Sequence, residues 1–366
     1  MKSVIVFFIG TEAELIKMFP VIMECENRNL PYHIIASGQN DVVESRIFKD
    51  GKCGVVGLEL SDPDDIQKST VGLLKWFGKT IISAKKKVKK TFKDVDWKGS
   101  CMVVHGDTIS TVMGAWIGKT LGMTVCHVEA GLRSHNFFNP FPEEIDRMIT
   151  SKLARVHFAP GKEAFKNLSK CKGKIINTEN NTLLDSLNYS KQIPIASNVQ
   201  RFLDKEYFLF VMHRQENLAN TNFVIEIVEE INNLAKNMNC VVLLHEITKN
   251  TFEKLGLMDK LTQNQNIIFQ SRVNYFDFMK VLEKSQFVIT DGGSNQEELH
   301  YMGKPCLILR KNTERFEGLG SNAEMYKGEV FHLREFAQNY KEKEGNVKEK
   351  EKSPSEIIVN TLMQYI

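Results

Sequence analysis

The sequence predicts an α/β protein made of two Rossmann-like domains, each a parallel sheet, with a cleft between them. Three observations predict it. Apolar runs of strand length alternate with amphipathic runs of helix length along the whole 366-residue chain. That alternation is the mark of parallel strands covered by helices on both faces. It pauses once, at a polar stretch around Gln192–Arg201, and then starts again. The length also suits two domains with separate cores. The expected boundaries are 1–190 for the first domain and 200–350 for the second. A C-terminal helix within 354–366 is left to pack back on the first.

The elements follow in order. Val4–Ile9, His33–Ala36, Cys101–His105, Thr124–Val128 and Val156–Ala159 are short apolar runs and read as buried strands. Glu14–Glu26, Ser110–Leu121 and Glu144–Leu153 carry the helical period between them. Lys85–Lys90 lies on a helix-like segment and reads as a solvated face. In the second half Tyr207–Met212, Cys240–Leu244, Ile267–Phe269, Phe287–Thr290 and Cys306–Leu309 read as strands. Asn222–Lys236, Tyr275–Glu283 and Asn295–Met302 read as helices. Asn339–Ser353 is highly charged and reads as a surface segment, after which Pro354-Ser355-Glu356 opens a last helix, Ile357–Tyr365.

Bulk properties exclude several classes. Hydrophobic content of 42% and charged content of 25% are those of an ordinary globular protein. A net charge of +3 gives no reason to expect nucleic acid as a partner. Lys2 and the run Val4–Ile9 imitate a signal peptide. The run is brief, no small-residue cleavage site follows, and Glu12 and Glu14 come at once, so a first strand is expected. No apolar stretch approaches the roughly 18 residues of a membrane span. The 7 cysteines are scattered, without a CxxC pair. That is a reduced, cytoplasmic pattern with no disulfide frame and no metal site. No cofactor is expected.

Charged and glycine-containing segments at the ends of apolar runs carry the chemistry, because open α/β sheets bind ligands at the carboxyl ends of their strands. Gly10-Thr11-Glu12-Ala13-Glu14 reads as an ordinary strand–helix turn whose two glutamates oppose phosphate. His105-Gly106-Asp107-Thr108 ends one strand, and Glu129 ends the next. Asp107 can be a base, an orienting carboxylate or a plain helix cap. Two such strand ends side by side make an acidic cluster, in which like charges leave an acid beside a base. Pro140-Phe141-Pro142-Glu143-Glu144 leads into a helix carrying Asp146 and Arg147. Glu143 and Arg147 are either a surface i,i+4 pair or both face the cleft. His213, in Val211-Met212-His213-Arg214-Gln215-Glu216-Asn217, ends the first strand of the second half and is placed to face the first domain. Asp291-Gly292-Gly293-Ser294 precedes a helix begun by Ser294 or Asn295 and forms a credible diphosphate site. Glu298, one turn in, can hold ribose hydroxyls. Arg315 is either a phosphate clamp or a surface arginine.

Taken in order, these segments resemble the non-hydrolysing UDP-N-acetylglucosamine 2-epimerases, GT-B-like relatives of the two-domain nucleotide-sugar glycosyltransferases. Ile16-Lys17-Met18-Phe19-Pro20-Val21-Ile22 resembles the family's first helix, and the HRxEN and GG…QEE…GKP…TER blocks follow in the family's order. Each motif is modestly specific; the ordered set is highly specific. The resemblance implies elimination of UDP from UDP-GlcNAc, a bound 2-acetamidoglucal, and re-addition of UDP to give UDP-ManNAc. It implies Asp107, Glu129 and Glu143 as catalytic carboxylates, with His213 and Arg147 beside them. It implies Lys17, Gly293, Ser294, Glu298 and Arg315 as residues that hold the substrate. It further implies a homodimer and a role in surface polysaccharide synthesis. Which carboxylate takes the proton stays open.

The departures bear on substrate and regulation. Glu12 stands where the family has a phosphate-binding arginine, the family's SGG is Gly292-Gly293-Ser294, and its GNT is Asn180-Asn181-Thr182. Asn40 replaces a histidine, and His245-Glu246-Ile247-Thr248 lacks the family's prolines. Alternatives are epimerisation of a modified UDP-HexNAc, a hydrolysing epimerase, a GT-B glycosyltransferase, and a nucleotide-sugar-binding protein without turnover. Some of the altered positions contribute, in bacterial members, to a second, activating UDP-GlcNAc site. An activator works only through differential affinity for two states. Little sigmoidicity in UDP-GlcNAc is therefore expected, together with a reverse reaction from UDP-ManNAc alone. Initial-rate curves in both directions check this, and a reverse reaction wholly dependent on added UDP-GlcNAc would show the site intact.

Overall fold

A computed structural model of the chain describes residues 1–62, 70–133, 142–313, 315–345 and 352–366. Two compact units result, Met1–Tyr189 with Glu351–Ile366, and Ser190–Lys350. Each is a parallel-sheet α/β domain, as the alternation of apolar runs predicts.

The first unit runs β1 (Ile5–Ile9), α1 (Glu12–Asn27), β2 (Tyr32–Ala36), α2 (Arg46–Gly51), β3 (Leu58–Glu59), α3 (Thr70–Thr91) and β4 (Cys101–His105). It continues with α4 (Ile109–Leu121), β5 (Thr124–Val128), α5 (Glu143–Leu153), β6 (Val156–Ala159), α6 (Lys162–Asn167), β7 (Lys174–Asn177) and α7 (Leu183–Ser190). Its seven strands lie in the order β3-β2-β1-β4-β5-β6-β7, all parallel. The order reverses between β1 and β4, so the helices after these strands leave on opposite faces and open a crevice at their carboxyl ends. All five residues of β1 and of β4 are buried, which explains their unbroken apolar runs.

The second unit runs α8 (Ser197–Leu203), β8 (Tyr207–Val211), α9 (Gln215–Leu218), α10 (Thr221–Leu234), β9 (Asn239–Leu244), α11 (Glu246–Lys254) and α12 (Leu257–Thr262). Then come β10 (Ile267–Ser271), α13 (Tyr275–Lys284), β11 (Val288–Thr290), α14 (Gly293–Met302), β12 (Cys306–Ile308), β13 (Ala323–Met325) and α15 (Val330–Asn339). The sheet order β10-β9-β8-β11-β12-β13 repeats the same logic, with its reversal between β8 and β11. Phe208, Phe210, Ile227, Ile231, Phe252 and Phe287 fill the core on one side of this sheet.

The last helix, α16 (Pro354–Leu362), belongs to the first unit and packs on α1. Its entry is fixed by one buried carboxylate: Asp185 Oδ2 accepts from Ser353 Oγ and from the Ser355 amide, both at 2.8 Å. Ser353 caps the helix and Pro354 starts it, where a missing N–H costs nothing.

Three strands, β3, β7 and β13, have no counterpart in the sequence reading. Each is the edge of its sheet or reached last by it, is short, and is only partly buried. Edge strands are kept short and polar, which erases the apolar run that marks an interior strand. The polar stretch Gln192–Arg201, where the alternation pauses, is not without structure: α8 begins within it and buries Val199 and, just beyond it, Phe202. Of the charged segment after Asn339, Tyr340 is buried in the second unit's core. Residues 346–351 lie outside the described residues. Among the described residues no helix is long and apolar enough to cross a membrane.

Candidate active site

In the first unit, β4 and β5 are neighbours in register, with His105 opposite Val128. The residues that follow, Gly106-Asp107 and Glu129, therefore emerge side by side at the reversal of strand order. Gly106 has φ +69, and a Cβ there would stand 3.5 Å from Glu129 Oε2. Glu129 itself has φ 61, a left-handed conformation that a non-glycine residue adopts at a cost of about 1–3 kcal/mol. Its carboxylate holds it there. Oε1 is ion-paired with Lys17 from α1 and accepts from Asn181 Nδ2, and Oε2 lies 3.6 Å from His105 Nε2.

Asp107 is bound by Arg147 from α5, whose other nitrogen lies 3.4 Å from Glu144 Oε2. Arg133 approaches the same Glu144 at 3.1 Å. Arg147 is thus committed to Asp107 and Glu144, and no surface pair with Glu143 forms. Glu143 opens α5, where its charge suits the helix dipole. Its Oε2 is buried without a hydrogen-bond partner. Burial holds the Asp107 carboxyl above the usual range, against the opposing effect of Arg147; the Glu129 charge adds to it. Asp107 is not the helix cap: Thr108 caps α4 in a reciprocal pair with Thr111.

Two further carboxyls join this cluster. Glu14 is 3% exposed. It accepts from the Gly10 amide at 2.7 Å and from Thr108 Oγ1. Burial, with Asp107 adding, pushes its pKa up to about 7. Glu14 is thus turned inward and hydrogen-bonded, whereas Glu12 at the helix start is partly exposed. Asp146 is likewise pushed up to about 7 by burial, with Asp107 and Glu143 adding. His127 is held down at about 4 by burial, so the neutral ring donates from Nε2 to the Gly106 carbonyl at 2.7 Å and fixes the turn that carries Asp107.

The second unit brings together His213, Asp291 and the loop opening α14. Asp291 is fully buried. It accepts from the amides of His213 and Arg214, both at 3.0 Å, and from Asn217 Nδ2 at 3.0 Å. His213 Nδ1 lies 3.3 Å from Asp291 Oδ1, and the ring stacks on His245 with centroids 4.7 Å apart. His245 is held down at about 4, by burial first and then by His213. Gly292 is required here, since a Cβ would meet Asn295 Oδ1 at 2.4 Å and His213 Cε1 at 3.2 Å. Gly292 is also the helix cap, in place of the expected Ser294 or Asn295. Gly293 and Ser294 form the first turn of α14, which holds no acidic residue. Glu298, 4% exposed, accepts from Asn295 at 3.2 Å. Arg315 pairs with the buried Glu297, and Gln296 donates to its carbonyl at 3.1 Å.

A family model described as UDP-N-acetylglucosamine 2-epimerase matches residues 23–343. The chain belongs to the UDP-N-acetylglucosamine 2-epimerase family. The enzyme of that name from Methanocaldococcus jannaschii is 32% identical over 336 residues, 88% of this chain and 87% of the relative. Its solved structure covers 100% of both chains with a TM-score of 0.78 at 29% identity. The Neisseria meningitidis enzyme, solved bound to UDP-GlcNAc, covers 100% of both with a TM-score of 0.79 at 28% identity. This epimerase-family chain shows no group of His, Cys, Asp or Glu arranged to hold a metal among the described residues.

The structure therefore gathers Asp107, Glu129, Glu143, Arg147 and Lys17 in the first unit. It gathers His213, Gly293, Ser294, Glu298 and Arg315 in the second. The sequence reading assigned no role to Asn181, His127, Asp146 or Asp291. Asp291 and Asp146 lie inside two of the sequence motifs, and only their burial sets them apart.

Proposed function

We propose that the protein is a UDP-N-acetylglucosamine 2-epimerase that interconverts UDP-GlcNAc and UDP-ManNAc by eliminating and re-adding UDP. The observation that carries this reading is the carboxylate cluster at the strand-order reversal, where Asp107, Glu129 and Glu143 differ in their partners. Removal of the C2 proton needs a carboxylate within reach, and the departing UDP needs its developing negative charge stabilised. Glu129 is fixed in place by its ion pair with Lys17 and by the hydrogen bond from Asn181. Burial holds the Asp107 carboxyl above its usual range, so it takes up a proton more readily than an exposed aspartate does. The second unit, by itself, offers the backbone amides that open α14, the kind of group that holds a diphosphate, with Arg315 on the same unit.

Incubation with UDP-GlcNAc in D2O tests the reading. Deuterium should enter C2 of both hexosamines, and UDP-ManNAc should appear by NMR. Binding without C2 exchange would leave a nucleotide-sugar-binding protein, and release of free ManNAc would make it a hydrolysing enzyme. Glu12, partly buried at the start of α1, favours including modified UDP-HexNAc sugars in the same assay.

Arg315→Ala should weaken UDP binding by about 1.5–3 kcal/mol, the range for a charge-assisted hydrogen bond. Calorimetry with UDP measures it, and unchanged affinity would remove Arg315 from the site. We also propose a cytoplasmic homodimer that serves surface polysaccharide synthesis. Leu74 and Ile82 on α3, Trp116 on α4 and Ile149 on α5 are exposed apolar side chains on consecutively packed helices, a fitting face for a second copy.

A further inference from the structure

Asp146 has no part in the scheme above, yet it lies inside the carboxylate cluster. It sits in the first turn of α5, three residues after Glu143, and is 7% exposed. Its Oδ2 is buried without a hydrogen-bond partner, and so is Oε2 of Glu143. Residues three apart on a helix share a face. Two ionised carboxylates cannot satisfy one another, because each only accepts. One proton between them converts one orphaned acceptor into a donor, and the other oxygen accepts from it. Arg147, next in sequence, does not solve the problem, since its guanidinium is bound to Asp107 and Glu144.

We propose that Asp146 is a positioning residue for the reaction: it carries a proton that it shares with Glu143, and this O–H···O contact holds the Glu143 carboxylate in its working orientation. The inference rests on the epimerase reading, in which Glu143 is a working carboxylate. The groups facing Asp146 favour it. Two carboxylates act on it, Asp107 from the end of β4 and Glu143 from its own helix. Glu144 lies on α5 two residues away, where residues do not face each other. Glu129 follows β5, against which α5 packs. Arg147 is the nearby cation and is already paired, while His127 of β5 is held neutral by burial. The only titratable residue of α4, which packs on α5, is Lys119 in its last turn, far from the site. With burial and two neighbouring carboxylates pushing the Asp146 pKa up to about 7, the proton stays on through the acidic range and leaves near neutrality.

The folded pKa of about 7 lies above the ordinary 3.8, so between these values the folded state holds a proton that the unfolded state has lost. This contribution to stability is complete below the lower value and is lost as pH rises through the higher. Glu14 and Asp107 act in the same direction and supply the remainder.

The test compares the full-length protein with Asp146→Asn and Asp146→Ala. Asparagine donates a hydrogen bond at every pH. The wild type should lose kcat as pH rises above 7; Asp146→Asn should keep wild-type kcat with UDP-GlcNAc at pH 6 and should flatten that fall. Its melting temperature should fall less than the wild type's between pH 5 and 8. Asp146→Ala has no donor and should lose about tenfold in kcat at pH 6, one hydrogen bond's worth, with KM unchanged. Asp146→Asn that repeats the wild-type pH dependence of both kcat and melting overturns the proposal, as does Asp146→Ala with wild-type kcat. If Asp146→Asn fails to fold, a ¹³C carboxyl titration of the wild type decides, and an Asp146 pKa near 4 overturns it. If the wild type does not turn over UDP-GlcNAc, the epimerase reading fails, while melting and titration still decide the shared proton.

Discussion

Asp107→Asn should lower epimerisation by about 10²–10⁴-fold, the range for losing a placed proton-transfer group, while the melting temperature stays close to that of the wild type. The asymmetry comes from the site. The folded protein already holds the Asp107 carboxyl above its usual range, because burial outweighs Arg147. Its charge is an expense to the fold, so an uncharged isostere costs little stability. Arg147 keeps Glu144 as its partner. Glu143→Gln should behave in the same way. Glu129→Gln should lose as much turnover but also some stability. Lys17, with a side chain only 10% exposed, would then face an amide in place of its ion-pair partner. Initial rates by NMR with UDP-GlcNAc, beside thermal melts, separate the two effects. Near-normal epimerisation in all three variants would make the cluster structural and remove the basis for the proposed mechanism.

The parts of this molecule that were legible in the sequence are those in which one residue's position implies its surroundings. Strands buried on both faces, such as β1 and β4, appear as unbroken apolar runs, and their order with the helices yields the two parallel-sheet domains. The chemistry could be located because α/β sheets concentrate it at strand ends, so Asp107, Glu129, His213 and Asp291 each follow an apolar run. What stayed hidden depends on distant partners. Lys17 and Glu129 are 112 positions apart, and Asn181 reaches Glu129 across 52. Nothing local distinguishes Glu14, buried and with its pKa pushed up to about 7, from Glu12 two residues earlier. A glutamate in a first helical turn reads the same in both places. Edge strands such as β3 and β13 were invisible for the opposite reason: solubility requires them to be short and polar.

Asp291→Ala should be the most damaging single change in the second unit, destabilising it by about 3 kcal/mol or more. A fully buried carboxylate that accepts three N–H groups cannot be removed without leaving those donors unpaired, at about 1–3 kcal/mol each before relaxation. The donors include the His213 and Arg214 amides, so the same change releases the turn that carries the His213 ring. Turnover should fall with stability, and it should fall further than the unfolded fraction explains. Asp291→Asn separates these contributions. It keeps one acceptor oxygen but turns the other into an amide facing donors, so its stability should lie between those of alanine and wild type. Urea unfolding and kcat at a temperature where all three proteins are folded make the comparison. Wild-type stability in Asp291→Ala would mean that water replaces the carboxylate at no cost. Normal kcat in a folded Asp291→Ala would show that the position of His213 does not limit the reaction. If instead both variants lose turnover in the order of their stability losses, the buried aspartate is what holds the histidine. The apolar strand β11 would then serve the chemistry as directly as the loop that follows it.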